Sequence, residues 1–127
     1  MSTLNMYMEH ILDHYKNPRN HGKIENPTVS SKGDNPLCGD EIEIFLKINS
    51  DGKIEDIKFI GKGCAISQAS ASLLTQKLKG KNVGCIEEIS RDEVVEMLGI
   101  ELGPVRLKCA LLALYALKNC LFIYKEK

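Results

Sequence analysis

The stretch that decides the fold is DEIEIFLKINSDGKIEDIKFI, residues 40–60. In its first half apolar residues alternate with charged ones, with Ile42, Ile44, Leu46 and Ile48 set between Glu41, Glu43 and Lys47. This two-residue period predicts a strand with one buried face. Residues 49–52 (NSDG) are typical of a turn, and Ile54 to Ile60 returns as a second strand. The stretch therefore predicts a β-hairpin.

Outward from the hairpin the hydrophobic period becomes helical. Before it, a helix is predicted from about Leu4 to Tyr15, followed by a loop with one short strand around Thr28 to Ser31. We expect this helix to bury one stripe, formed by Met8, Ile11, Leu12 and Tyr15.

After the hairpin, three helices are predicted. They run over Ala65 to Lys79, from a Ser90–Glu93 capping box to near Gly99, and from Pro104 to about Tyr124. This order predicts an α+β fold, a small antiparallel sheet with helices packed on one face.

Length and composition limit the classes of protein that remain. The chain has 127 residues, of which 43% are hydrophobic and 27% charged, and we expect residues 1–127 to form a single domain. Seventeen basic residues balance seventeen acidic ones, which argues against a nucleic-acid or membrane-surface partner. The longest apolar run, residues 109–117, is too short to span a membrane, and the N-terminus resembles no export signal. We therefore expect a cytoplasmic protein.

The five cysteines are the residues most informative about chemistry, and an odd number without a secretion signal argues against a disulfide framework. Cys38 lies in a turn-rich loop before the first hairpin strand, and Cys64 follows Gly61-Lys62-Gly63 where the second strand ends and a helix begins. The hairpin should bring these two cysteines together, and the helix N-terminus favours a thiolate at Cys64. Cys109 follows Arg106 and Lys108 in the last helix, where cations also favour a thiolate.

These features predict a three-cysteine site, but burial of the same cysteines as small hydrophobic residues stays open on spacing alone. Cys120 lies roughly 16 Å along the helix from Cys109, too far to bind the same centre, and is predicted to be core. Cys85 is predicted to be structural. His10 and His14 lack the H-E-x-x-H form of a zinc site, and we expect both to face solvent.

At these cysteines the chain resembles a known family. The similar stretches include Asn35-Pro36-Leu37-Cys38-Gly39-Asp40, Gly61-Lys62-Gly63-Cys64-Ala65-Ile66-Ser67 and Lys108-Cys109-Ala110. They resemble the iron–sulfur cluster assembly scaffold family, which includes IscU, the N-terminal domain of NifU and SufU. The resemblance covers nearly the whole chain.

The resemblance implies a non-enzymatic scaffold that assembles a [2Fe–2S] cluster and transfers it to apo iron–sulfur proteins. It implies ligands at Cys38, Asp40, Cys64 and Cys109. A cysteine desulfurase would supply sulfur as a persulfide, with Cys109 as the acceptor. A homodimer would shield such a cluster from water and oxidants.

One departure from the IscU pattern leaves an alternative open. Lys108 occupies the position where IscU proteins usually carry histidine, and because lysine has no free lone pair when protonated, we expect it to be a charge partner and not a ligand. SufU proteins resemble the chain there, and in them three cysteines and an aspartate hold Zn²⁺ for sulfur transfer from a desulfurase. Only 44 residues separate Cys64 from Cys109, as in IscU and without the inserted segment of SufU, which favours the scaffold. A metal-free interaction domain is the third alternative.

Overall fold

The predicted hairpin forms the centre of the fold. The computed structural model describes residues 3–36 and 39–126. Strands β2 (Asp40–Ile48) and β3 (Ile54–Lys62) pair antiparallel, and β1 (Val29–Asn35) pairs antiparallel with the other edge of β2. The sheet order among the described residues is therefore β1-β2-β3. The short strand expected around residues 28–31 is longer than predicted.

The helices cover one face of this sheet, and the α+β prediction is confirmed. They are α1 (Thr3–Lys16), α2 (Ala65–Leu78), α3 (Cys85–Glu88), α4 (Arg91–Leu98) and α5 (Pro104–Glu126). Helix α5 packs across β1 and β2, while α2 packs against β3 and α5. The alternating residues Ile42, Ile44 and Leu46 are fully buried beneath them. The two-residue period of β2 thus produces the sheet side of the core.

Helix α5 is long and apolar enough to cross a membrane by length and composition. However, 56% of its most apolar window is buried inside the domain. Within the described residues its apolar face thus packs against the sheet and α2, which is the environment of a core helix.

The prediction for the buried face of α1 is confirmed for Ile11 and wrong for Met8, Leu12 and Tyr15. Ile11 and His14 are buried, at 4% and 2% exposure, while Met8, Leu12 and Tyr15 are about half exposed. Helix α1 is oriented so that Ile11 and His14 face α2. A hydroxyl group on α2 can form a hydrogen bond with the imidazole of His14. The apolar edge with Met8 and Leu12 instead lines a surface groove.

The hairpin register positions the loops that follow. Glu41, the second residue of β2, pairs with Lys62 at the end of β3. Asp40 and Cys64 lie one and two residues beyond this pair, so the register brings both to the same edge of the sheet. Helix α2 then begins at Ala65.

Candidate metal centre

Three potential metal ligands from different elements converge at this edge of the sheet. They are Asp40 at the start of β2, Cys64 at the N-cap of α2 and Cys109 in the second turn of α5. One ligand atom of each lies within 4.8 Å of the others. Asp40 and Cys109 are buried and Cys64 is exposed, so the cluster opens to solvent on the Cys64 side.

Asp40 is held as a carboxylate despite its burial. Its Oδ1 accepts a hydrogen bond from the backbone N–H of Cys64 at 3.1 Å, and its Oδ2 accepts one from the Cys64 thiol at 3.2 Å. Burial by itself would raise the pKa of Asp40, but hydrogen bonds from Cys109, Cys64 and Ser67 hold the pKa below its ordinary value. The carboxylate also lies at the N-terminus of α2, where the helix dipole favours negative charge. Asp40 is therefore ionised and available to a cation at neutral pH.

The Asp40 carboxylate lies so close to the backbone at position 63 that this position requires glycine. Its φ is +136°, and a Cβ at this position would collide with the Asp40 carboxylate. A side chain here would both strain the backbone and displace the carboxylate from Cys64. The glycine before Cys64 thus has a direct structural role in the site.

Cys64 and Cys109 open into an apolar surface groove of about 420 Å³. Met8, Leu12 and Val105 form part of its walls, and Arg106 also lines it. A group approaching the two thiols therefore passes apolar side chains and one guanidinium. Although Cys109 is only 3% exposed, its position along this groove gives a route to its sulfur.

Ser67 and Gln68 belong to this site and were not predicted from the sequence. The buried Ser67 hydroxyl donates to the carbonyl oxygen of Cys64 at 3.1 Å and interacts with Asp40. The side chain of Gln68 donates to Ser67 Oγ at 3.3 Å. The sequence signal for Ser67 was its position three residues after Cys64. One helical turn brings the side chain at this position back to the N-cap residue.

The remaining predicted residues have different outcomes. Cys38 lies outside the described residues, so its place as a ligand stays a prediction. Lys108 is exposed on α5 beside Cys109 in sequence, and its role as a charge partner also stays a prediction.

Cys120 is fully buried in the core, as expected, and burial raises the pKa of its thiol to about 12. Cys85 is half-buried at the start of α3 and lines another cavity, with Lys77 and Glu93.

The prediction that His14 faces solvent is wrong. His14 is 2% exposed, and its Nδ1 lies 2.7 Å from Ser72 Oγ. Its neighbour His10 is exposed, as predicted. Neither histidine is among the groups of described residues that converge as potential ligands.

The donor set of the site suits two kinds of metal chemistry. Two thiolates and one carboxylate fit tetrahedral Zn²⁺ and also fit iron atoms of an iron–sulfur cluster. Asp40, Cys64 and Cys109 would hold either one, and a fourth donor would complete the coordination. The geometry alone thus indicates a metal centre without selecting the metal.

Comparison with known proteins gives consistent similarities. The family described as NifU-like N terminal domain matches residues 6–127. The iron-sulfur cluster assembly scaffold protein IscU 1 of Archaeoglobus fulgidus is 41% identical over 122 residues, which cover 96% of this chain and 78% of that protein. The zinc-dependent sulfurtransferase SufU of Bacillus subtilis is 37% identical over 131 residues, covering 90% of this chain and 88% of that protein.

A solved structure gives the same fold. The N-terminal part of a nitrogen-fixing NifU-like protein from Brucella abortus superposes with a TM-score of 0.78 at 25% identity. The match covers 99% of both chains.

Proposed function

Because the chain belongs to the NifU-like N-terminal domain family, we propose that it is a scaffold protein for the assembly of iron–sulfur clusters. The observation that carries the proposal is the convergence of Asp40, Cys64 and Cys109 on one point that opens to a groove. A site that must load and release a cluster needs ligands of suitable chemistry near the surface. The exposed thiol of Cys64 and the groove supply that access.

In the full proposal a [2Fe–2S] cluster is the cargo, and Cys38, Asp40, Cys64 and Cys109 are its ligands. The buried, ionised Asp40 offers oxygen in place of a fourth sulfur. Since iron–sulfur clusters are held most commonly by thiolates, a carboxylate is the ligand that an incoming thiolate should displace first. We propose residues 1–127 as a single scaffold domain that is not an enzyme.

The partners follow from the same chemistry. A cysteine desulfurase would deliver sulfur as a persulfide through the groove to Cys109, beside the cationic Lys108 and Arg106. Apo iron–sulfur proteins would receive the cluster, in the cytoplasm, and a homodimer would cover it before transfer.

The sulfur acceptor can be tested by incubating the protein with a desulfurase and cysteine. Wild type should gain the mass of one sulfur atom, and Cys109→Ser should not.

A zinc-dependent sulfurtransferase is the second candidate, supported by the Bacillus subtilis relative and by the donor set. The alignment with that relative spans 131 residues, more than the 127 of this chain, yet covers only 90% of the chain. That relative therefore contains residues which this chain lacks. The difference in length supports the scaffold.

Purification without air distinguishes the two candidates. A scaffold reconstituted with iron, a desulfurase and cysteine should be brown and contain iron and acid-labile sulfide. In Asp40→Ala the visible spectrum should shift, because another group must replace the carboxylate. A colourless protein that keeps one zinc per chain and takes up no iron would support the sulfurtransferase and contradict the scaffold.

A further inference from the structure

The two edges of the sheet differ in what covers them. At the β3 edge, the backbone N–H of Phe59 donates to the Asn20 carbonyl oxygen at 3.0 Å, and its carbonyl oxygen accepts from the Gly22 N–H at 2.8 Å. Strand β1 forms the other edge and, within the part of the chain that the structure describes, pairs only with β2. Residues 29–35 of β1 include no proline, so each has a backbone donor and an acceptor. Such an edge can pair with a strand of another chain.

The charges along β1 favour a second copy of this chain as the partner. Lys32 and Asp34 are exposed, while Val29 and Ser31 face the core, so both charges lie on the sheet face that the helices leave uncovered. In an antiparallel pair of two β1 strands centred on Gly33, Lys32 of each copy lies directly opposite Asp34 of the other. Cross-strand pairs of opposite charge stabilise a sheet. The strand is therefore complementary to itself.

Asp34 has an unfavourable neighbour within the single chain. It pairs in register with Glu41 of β2, so two carboxylates lie directly opposite each other, which destabilises a sheet. Glu41 forms ion pairs with Lys32 at 3.5 Å and with Lys62 at 3.8 Å. Among the described residues no ion pair includes Asp34. A lysine from a second copy would place a cation beside Asp34.

Two exposed aromatic side chains flank the same edge. The Asn119 amide of α5 donates to Ser31 Oγ of β1 at 2.6 Å, so this face of α5 adjoins β1. Tyr115 and Phe122 lie four residues before and three residues after Asn119, which places them on that face. They are 51% and 64% exposed. Aromatic residues are enriched in protein–protein interfaces, so these two side chains extend the edge strand into a larger contact surface.

We propose that two copies of this chain form a symmetric dimer through antiparallel β1 strands, with the two-fold axis at Gly33. The pairing joins two three-stranded sheets into one, and the symmetry makes the Lys32–Asp34 pair occur twice. Because Asn35 at the end of β1 pairs with Asp40, the two candidate metal centres lie at opposite ends of the shared pair of strands. This dimer is therefore distinct from one that covers a cluster, and the inference does not rest on the proposed function.

Reversal of the charges tests the pairing by sedimentation of the full chain, as purified and after chelation of bound metal. Wild type should be a dimer in both states. Asp34→Lys places lysines opposite each other, and Lys32→Asp places carboxylates opposite each other. Each single variant should raise the dissociation constant of the dimer by roughly tenfold or more, because two attractive pairs become repulsive. The two single variants should dimerise with each other when mixed, since mixing restores both opposite-charge pairs.

Asp51→Lys is the matched control, because it makes the same change of charge at an exposed position in the β2–β3 turn and should leave the dimer unchanged. Phe122→Ser should weaken the dimer without a change in β1. A wild-type chain that stays monomeric up to its limit of solubility would overturn the inference. It would also be overturned by a dimer that survives both single reversals, or by single variants that remain monomeric when mixed. A failure to assemble a cluster would overturn the proposed function and leave this dimer in place.

Discussion

His14 is an imidazole buried between α1 and α2. Ser72 Oγ accepts a hydrogen bond from the backbone N–H of Arg19 at 2.9 Å, so its own proton is available to His14 Nδ1. Burial chiefly, and then the charges of Arg19 and His10, lower the pKa of His14 from 6.5 to about 4, while Asp13 acts in the opposite direction. The folded protein therefore contains a neutral His14 at neutral pH.

This burial predicts a specific loss of stability in acid. Between pH 6.5 and about 4 the unfolded chain binds a proton at His14 that the folded chain does not. The contribution is complete above pH 6.5 and falls as the pH approaches 4, by roughly 3 kcal/mol at most. His14→Gln keeps an acceptor for Ser72 and does not titrate. Urea unfolding of this variant should therefore depend less on pH in that window.

The exposed His10, on the same helix, provides the control. His10→Gln should retain most of the wild-type dependence of stability on pH between 6.5 and 4, because burial lowers the pKa of His14 more than the charge of His10 does. The lowered pKa values of Asp40 and Asp13 act below this window, since their ordinary value is 3.8. An equal pH slope in wild type and His14→Gln would contradict the assignment.

The two cysteines outside the proposed ligand set allow a second prediction for single residues. Cys85→Ser combined with Cys120→Ala should bind a reconstituted cluster with an unchanged visible spectrum. Because Cys120 is fully buried in the core, its truncation should lower the free energy of unfolding by about 1 kcal/mol. Iron content, visible absorption and urea unfolding measure both effects. A double variant that reconstitutes without iron would contradict the ligand assignment.

The positions of site residues were predictable where their partners are close in sequence or are brought together by the hairpin. Cys64 and Asp40 follow from a register that the alternating residues define. His14 was not predictable, because its partner Ser72 lies 58 residues away on another helix. Ser67 was predictable only in part, since its bond to the Cys64 carbonyl oxygen is local but its interaction with Asp40 depends on tertiary structure. Burial of polar groups depends on tertiary contacts that periodicity does not report.

At the scale of elements, α1 is held against the C-terminus of α4 by an aromatic contact. Gly99 ends α4 in the left-handed region, with φ +72°. A Cβ on Gly99 would collide with the ring of Tyr7, so the ring lies directly on this glycine. The contact matters for the groove, because Met8 and Leu12 of α1 form part of its wall.

Gly80 offers a matched comparison for this contact. It follows the C-terminus of α2 with φ +83° and has open space where a Cβ would lie. Gly80→Ala should therefore cost only backbone strain, about 1–2 kcal/mol. Gly99→Ala should cost more in urea unfolding, since it also displaces Tyr7. In a Tyr7→Ala background the two substitutions should cost the same, and a persistent difference would contradict the role of Tyr7.

The hairpin and the helix ends were predictable at this scale, while the orientation of α1 was not. The N-cap half of the predicted capping box is confirmed by the hydrogen bond from the Glu93 N–H to Ser90 Oγ at 3.1 Å, which depends only on local sequence. The Glu93 carboxylate forms an ion pair with Lys77 at 2.7 Å. The predicted orientation of α1 was wrong because the apolar edge of this helix lines a groove. Periodicity identifies an apolar face but not whether that face meets the core or a functional surface.

At the scale of the whole molecule, the candidate metal centre joins three elements that are distant in sequence. Asp40 begins β2, Cys64 precedes α2 and Cys109 lies on α5. A metal bound to all three would cross-link the sheet to both central helices. Since the unfolded chain does not hold these ligands together, binding should stabilise the fold as a whole.

This coupling predicts a rise in the thermal midpoint on addition of Zn²⁺ to the metal-free protein. A ligand at 100 times its Kd contributes about 2.7 kcal/mol, which for a chain of this size corresponds to a rise of about 10 °C. Asp40→Ala and Cys109→Ser should each lose most of the rise, measured against their own metal-free midpoints. Cys85→Ser should keep it, because Cys85 lines a different cavity. A full rise in the Asp40 and Cys109 variants would mean that zinc stabilises the protein from another site.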